Sequence, residues 1–147
     1  MKRLREVWRL PPSYRRLLIT SLLLLMIVRV GLWLLPFQTL RRLLAHTTRE
    51  HAGAQGGDQA SINQVARAVT VASRYIPAAS CLTQALATQV LLSHRGHPAS
   101  LRIGVARNEV GEFQAHAWVE CQGKIVIGGA QALSRFTPFP PLDGERP

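Results

Sequence analysis

A chain of 147 residues with a formal net charge of +10 and two cysteines is one domain's worth of sequence, too short for two independent cores and too poor in cysteine for a disulfide scaffold. The charge is uneven, since residues 1–50 hold ten Lys and Arg against two Glu while the remainder holds eight against six acidic residues. That basic excess is interleaved with leucine and lacks a recognition helix or aromatic stacking platform, so no nucleic-acid partner is expected; with no secretory cleavage site, a reducing, cytoplasmic setting is.

In chain order, residues 17–35 form an apolar run long enough to span a bilayer, flanked by Arg15 and Arg16 and then by Arg41 and Arg42. Arg29, in the C-terminal half of the run, opposes spanning, because a charge near the bilayer centre costs roughly 2.5–3.5 kcal/mol on insertion scales. Pro36 stops the helix. Residues 37–44, with Leu40, Leu43 and Leu44 opposite Arg41 and Arg42, predict a short amphipathic helix. Residues 1–50 thus read as a basic, leucine-rich helical extension that packs on the rest of the chain or a partner, lies at a membrane surface, or spans.

The stretch HAGAQGGDQA at 51–60 combines three Gly with small and polar residues and predicts a linker, with one domain over 61–147 beyond it. Ser61 is a candidate N-cap for a helix carrying Ile62, Val65, Ala66, Val69 and Ala72 and running towards Tyr75, with Pro77 closing it or opening the next loop. In PAASCLTQALATQVLLSHRG, residues 77–96, Ser80 is a second N-cap, Leu82, Ala85, Leu86, Gln89 and Val90 make a stripe, and Gly96 is a stop. This sets Cys81 on the first turn of a buried helix. There the orphan N–H groups and the positive end of the macrodipole favour a thiolate, and the Cys81 N–H supplies half of an oxyanion hole.

After Gly96 the period changes to two. Leu101, Ile103 and Val105 share one face of a strand over 100–106, a turn covers 108–112, and a second strand covers 113–121. On that second strand Gln114, His116, Trp118 and Glu120 face one way and Phe113, Ala115, Ala117, Val119 and Cys121 the other. Gln122 and Gly123 predict a tight hairpin into a third strand over 124–127, ahead of Gly128 and Gly129. Helices first and antiparallel strands after is an α+β order, with the helix bearing the Cys packed on a small sheet bearing the His. A cysteine at a helix start with a histidine on a following strand is the nucleophile and base pair of papain-like chemistry. The plain alternative is a buried apolar Cys and a packed His.

The runs SCLTQALATQVLLSHRGHPASLRIGVAR, FQAHAWVE and SRFTP closely resemble lasso peptide biosynthesis B proteins of the leader-peptidase type, within the transglutaminase-like cysteine protease superfamily. The match runs from about Ser61 to Pro138 in the family's order and spacing, and the leucine-rich segment with its Pro-Phe ending is similar to the family's helical extension. The resemblance implies a cytoplasmic cysteine peptidase that cleaves the leader from a ribosomally made precursor peptide. It implies a leader-recognition partner protein, and a separate ATP-dependent lasso cyclase that acts afterwards. It makes Cys81 the nucleophile and His116 the general base.

The family's usual third member, an Asp after the hairpin, on or just beyond the third strand, has no counterpart here, where the chain reads Ile127, Gly128, Gly129 and offers no carboxylate before Asp143. Glu120 lies about 13 Å from His116 by strand rise, which suits a structural or substrate-facing role better than direct contact. A main-chain carbonyl near Gly128, a water or Gln114 could orient the ring instead, and the pair retains activity without a third group.

Other features carry less. His94 and His97 with the two cysteines match no zinc spacing, so no metal is expected; no phosphate loop is present, and no cofactor is expected. Cys121 reads as buried filler, Trp118 as a possible cleft wall, and Phe136 and Phe139 among Pro138, Pro140 and Pro141 as an extended tail over apolar surface. Two other functions fit the residues: an amine acyl-transferase or ligase on the same fold, and a non-enzymatic, membrane-associated interaction protein.

Overall fold

Three helices open the chain in the computed structural model, which describes residues 2–49, 59–76, 80–97, 99–107, 109–128 and 137–138. They are α1 (Lys2–Trp8), α2 (Pro12–Leu34) and α3 (Phe37–Arg49). Pro12 sits in the first turn of α2, where a missing N–H costs nothing, and the helix ends ahead of Pro36 as expected. Leu17, Leu18, Ser21, Leu25 and Val28 recur at helical spacing and are buried, and this face packs on the fourth and fifth helices of the chain. Ser21 satisfies its hydroxyl internally by donating to Leu17 O at 2.7 Å. By length and composition α2 is the one helix among the described residues apolar enough to cross a membrane. Helix α3 runs past residue 44, where the apolar pattern ends, and its Leu40 joins the core.

Helix α4 (Gln59–Ser73) buries Ile62, Val65, Ala68, Val69 and Ala72. It begins at Gln59, so Ser61 lies inside its first turn and does not cap it. The hydroxyl serves the far side of the core: Ser61 Oγ accepts from Arg95 Nη1 at 3.1 Å and lies 3.3 Å from His97 Nε2. Sequence periodicity found the helix, while the competing partner that claimed Ser61 sits 34 residues away. Residues 51–58 of the expected linker, and Pro77, Gly129, Phe136, Phe139, Pro140, Pro141 and Asp143, lie outside the described residues.

Helix α5 (Cys81–His94) buries Thr83, Ala85, Leu86, Ala87, Thr88, Val90, Leu91 and Leu92, which face nearly all round, so it is an interior helix with neighbours on both sides. It packs against α2 and α4 on one side and the sheet on the other. Its end is a Schellman motif: Gly96, at φ +80°, lets His97 N–H reach Leu92 O and Gly96 N–H reach Ser93 O.

The strands are β1 (Ala99–Arg107), β2 (Phe113–Cys121), β3 (Lys124–Ile127) and the two-residue β4 (Thr137–Pro138), in the antiparallel order β3-β2-β1-β4. Leu101 stands opposite Val119 and Ile103 opposite Ala117, so one sheet face meets the helices and carries Leu101, Ala117, Val119 and Cys121 into the common core. Positive φ at Gln122 (53°) and Gly123 (75°) gives the two-residue hairpin the twist that β2 and β3 require. Pro138 in β4 is on the sheet's edge, where a missing ladder N–H is tolerated.

The fully buried Leu25 ties α2 to that core. Leu25→Ala should therefore destabilise the whole chain by about 2–5 kcal/mol in a single cooperative transition, read by chemical denaturation with circular dichroism. A loss near zero, or a separate early transition of helix signal, would mean that α2 is not integral to the core.

Candidate active site

Ser80 holds the start of α5. At φ −72° and ψ 167° it has N-cap geometry; its Oγ accepts from Thr83 N–H at 3.2 Å and its carbonyl from Gln84 N–H at 3.0 Å. Both capping bonds go to the second half of the first turn. The Cys81 N–H, one residue beyond the cap, thus remains at the mouth of the helix beside its own thiol. Cys81 is a free, half-buried cysteine that packs against the edge of the core.

The direction of α5 relative to the sheet decides what lies near that thiol. Gln89 Nε2 donates to Ala99 O at 3.3 Å, so the start of β1 lies beside the second half of α5 and the two elements run back past each other. From Gln89 to Cys81 is about 12 Å of helix, and from Ala99 to Gly104 about 17 Å of strand. Gly104 is the cross-strand partner of His116. Cys81 and His116 accordingly lie towards the same end of the helix–sheet pair. Burial along β2 agrees: Phe113 to Ala115 are exposed and Ala117 to Val119 buried, with His116, half-buried, where helix cover begins. Helix α5 meets the Ala117 and Val119 face, while His116 projects from the other face of β2.

The His116 ring is held from behind. Its Nε2 is hydrogen-bonded to Gly128 O, just after β3, and a carbonyl can only accept, so Nε2 carries a proton. Gly128 sits at φ +112°, and a Cβ built there would meet Trp118 Cβ at 2.5 Å and Trp118 Cα at 2.9 Å. Only glycine fits that approach. The main-chain carbonyl near Gly128 is the group that contacts the imidazole, whereas Gln114 is solvent-exposed at the open end of the strand.

Trp118 is buried, with its ring stacked on His116 at 6.4 Å between centroids and 23° between planes. Its Nε1–H donates to Glu120 Oε1 at 3.0 Å, so Glu120 orients the indole and does not reach the imidazole. The three side chains that alternate along one face of β2 are thus a supported series, carboxylate to indole to imidazole. Gly104 presents no side chain opposite His116. Arg102 stands opposite Trp118, with its Nε buried and without a hydrogen-bond partner. The sequence reading did not single out Gly104 or Arg102 because both depend on the β1–β2 register, which a single strand's alternation does not supply.

The other candidates are placed as well. Cys121 is 2% exposed on the core face, and burial pushes its thiol up from the ordinary range. His94 is exposed and His97 buried beside Ser61, so these two do not form a cluster; no group of three metal-ligating side chains occurs among the described residues.

Gly128→Ala should lower stability by about 1–3 kcal/mol, because a side chain at positive φ is strained and meets the backbone of Trp118, and it should shift the His116 imidazole resonances in an NMR titration. Unchanged resonances would separate the carbonyl from the ring. Iodoacetamide near neutral pH should modify Cys81 in the native protein and spare Cys121, as read by peptide mapping; equal labelling would contradict their difference in burial.

Among known domain families, the one described as Transglutaminase-like superfamily matches residues 22–140, which takes in the second half of α2, all later elements and both candidate residues. No curated protein and no solved structure matches the chain.

Proposed function

Because the chain belongs to the transglutaminase-like superfamily, whose members are cysteine proteases or acyl-transferases, we propose that it is a cysteine peptidase, with Cys81 as nucleophile and His116 as general base. The observation that supports the assignment is the hydrogen bond of His116 Nε2–H to Gly128 O, which orients the ring on a strand that lies towards the Cys81 end of α5. The specific substrate rests on the resemblance of the Cys81 helix, the strand after it and the run around His116 to lasso peptide biosynthesis B proteins: the leader of a ribosomally made precursor peptide, presented by a leader-recognition partner protein ahead of a lasso cyclase. The setting proposed with it is cytoplasmic.

In this reading Nδ1 of His116 takes the Cys81 thiol proton, and the thiolate attacks the carbonyl carbon at the leader–core junction. The oxyanion forms at the mouth of α5, where the Cys81 N–H donates to it. As the tetrahedral intermediate collapses, the C–N bond breaks and the imidazolium gives its proton to the departing amine, freeing the core peptide. Water then adds to the thioester, His116 accepts the water's proton, and the C–S bond breaks to release the leader as an acid and restore the thiol. Gly128 O stays bonded to Nε2–H throughout, so the ring keeps its orientation in both halves of the cycle. The carbonyl contributes no formal charge. It holds the ring without the stabilisation that an adjacent carboxylate would give an imidazolium.

Mass spectrometry of the precursor incubated with this protein and its recognition partner should show two fragments meeting at the leader–core junction. Cys81→Ala should abolish cleavage, and His116→Ala should reduce it by roughly two to four orders of magnitude, with both variants retaining the wild-type circular dichroism. Joined products in the presence of an amine would identify an acyl-transferase instead. Cleavage that survives Cys81→Ala would overturn the mechanism, and no reaction with a thiol inert to iodoacetamide would favour a non-enzymatic interaction protein.

A further inference from the structure

Helix α2 has two apolar faces, and only one of them is used by the fold. The inner set, Leu17, Leu18, Ser21, Leu25 and Val28, is buried on α4 and α5. The outer set, Ile19, Leu23, Met26, Ile27, Val30 and Trp33, is 45–79% exposed. At 100° per residue the two sets point roughly 180° apart, so the outer one is a continuous stripe about 21 Å long along the back of the molecule. An apolar recess of about 320 Å³ opens beside Leu23 and Ile27, floored by Leu24, Val90 and Leu91 between α2 and α5.

We infer that this face lies in the surface of an anionic lipid bilayer, with α2 parallel to the membrane plane and an acyl chain entering the recess. Three observations select lipid over a protein. The first is charge: Arg15 and Arg16 stand at one end of the stripe and Arg41 and Arg42 beyond the other, within a segment carrying ten basic residues against two acidic ones. A second copy of the chain would bring two such segments together, whereas anionic headgroups complement them. The second is the tryptophans: Trp8, 72% exposed with the Arg15 guanidinium 5.1 Å over its ring, and Trp33, 79% exposed, mark the two ends, the positions a headgroup layer favours for indole. The third is the packing of the inner face. Crossing the bilayer would strip α2 from Ile62, Val65 and Val69, all fully buried, so the helix can offer its back to lipid while its front stays in the core. An in-plane helix meets both conditions and a spanning one does not. None of this uses Cys81 or His116, so the surface stands or falls apart from the catalytic assignment.

Flotation of the full chain with phosphatidylglycerol-containing vesicles, against pure phosphatidylcholine vesicles and a vesicle-free control, tests it. The protein should float with the anionic vesicles, remain largely in solution with the zwitterionic ones, and be released as salt rises. The double variant Leu23→Asn, Val30→Asn alters exposed positions only, and should keep the wild-type melting curve while binding anionic vesicles at least roughly tenfold more weakly. Equal flotation of wild type and variant would overturn the proposal. So would resistance to carbonate extraction, the mark of a spanning helix. A dimer in solution that the same variant dissolves, with no vesicle binding by wild type, would assign the stripe to a second copy.

Discussion

Helix α5 has no face to spare. Its buried side chains run from Thr83 to Leu92 with neighbours on both sides, so α2 and α4 on one flank and the β1–β2 ladder on the other must each fit the same small residues, Ala85, Ala87 and Thr88 among them. An interior packed at this density cannot slide by a fraction of a turn without opening voids or overlaps on both flanks at once. The position of Cys81 follows from that constraint, because the residue sits one place after the cap of a helix whose axis is fixed along its length. The far end is pinned equally, by the Schellman turn and by Arg95 and His97 converging on Ser61 of α4. A reactive group on a loop would be held less closely than one at the mouth of such a helix.

The sheet side of the site is positioned by register. Once Leu101 faces Val119, the period of two puts Gly104 opposite His116 and Arg102 opposite Trp118, and a slip of one residue would bury His116 and expose Ala117. The hairpin at Gln122 and Gly123 starts β3 with Lys124 opposite Cys121, and a register shift between Val119 and Glu120 then brings Ile127 opposite Val119, which sets how Gly128 returns past Trp118. Helix packing locates the Cys81 sulfur and strand pairing locates the His116 imidazole, two independent constraints.

Much of this was legible in the sequence. The bounds of β2 and β3, the cap at Ser80, the stop at Gly96 and the opposite orientations of His116 and Cys121 follow from local periodicity and turn chemistry, which depend on near neighbours in the chain. What was not legible depends on groups distant in sequence. Ser61 looked like a cap until a partner 34 residues on claimed it, and nothing in the letters around His97, just past the end of α5, signals that it is 1% exposed. The burial of one face of α2 was equally hidden, because apolar residues surround that helix and hydropathy alone cannot tell a face turned to a core from one turned outward.

The contact between His116 and Gly128 has a consequence for how such a site is inherited. A side-chain orienter can be lost by one codon change and recognised by its letter in an alignment. A carbonyl orienter is present whatever residue occupies the position, so what selection must preserve there is a backbone shape, a positive φ tucked against Trp118, and the letter that records it is glycine. A search for side-chain partners of His116 by letter alone would pass over this one, because the acceptor belongs to the chain itself.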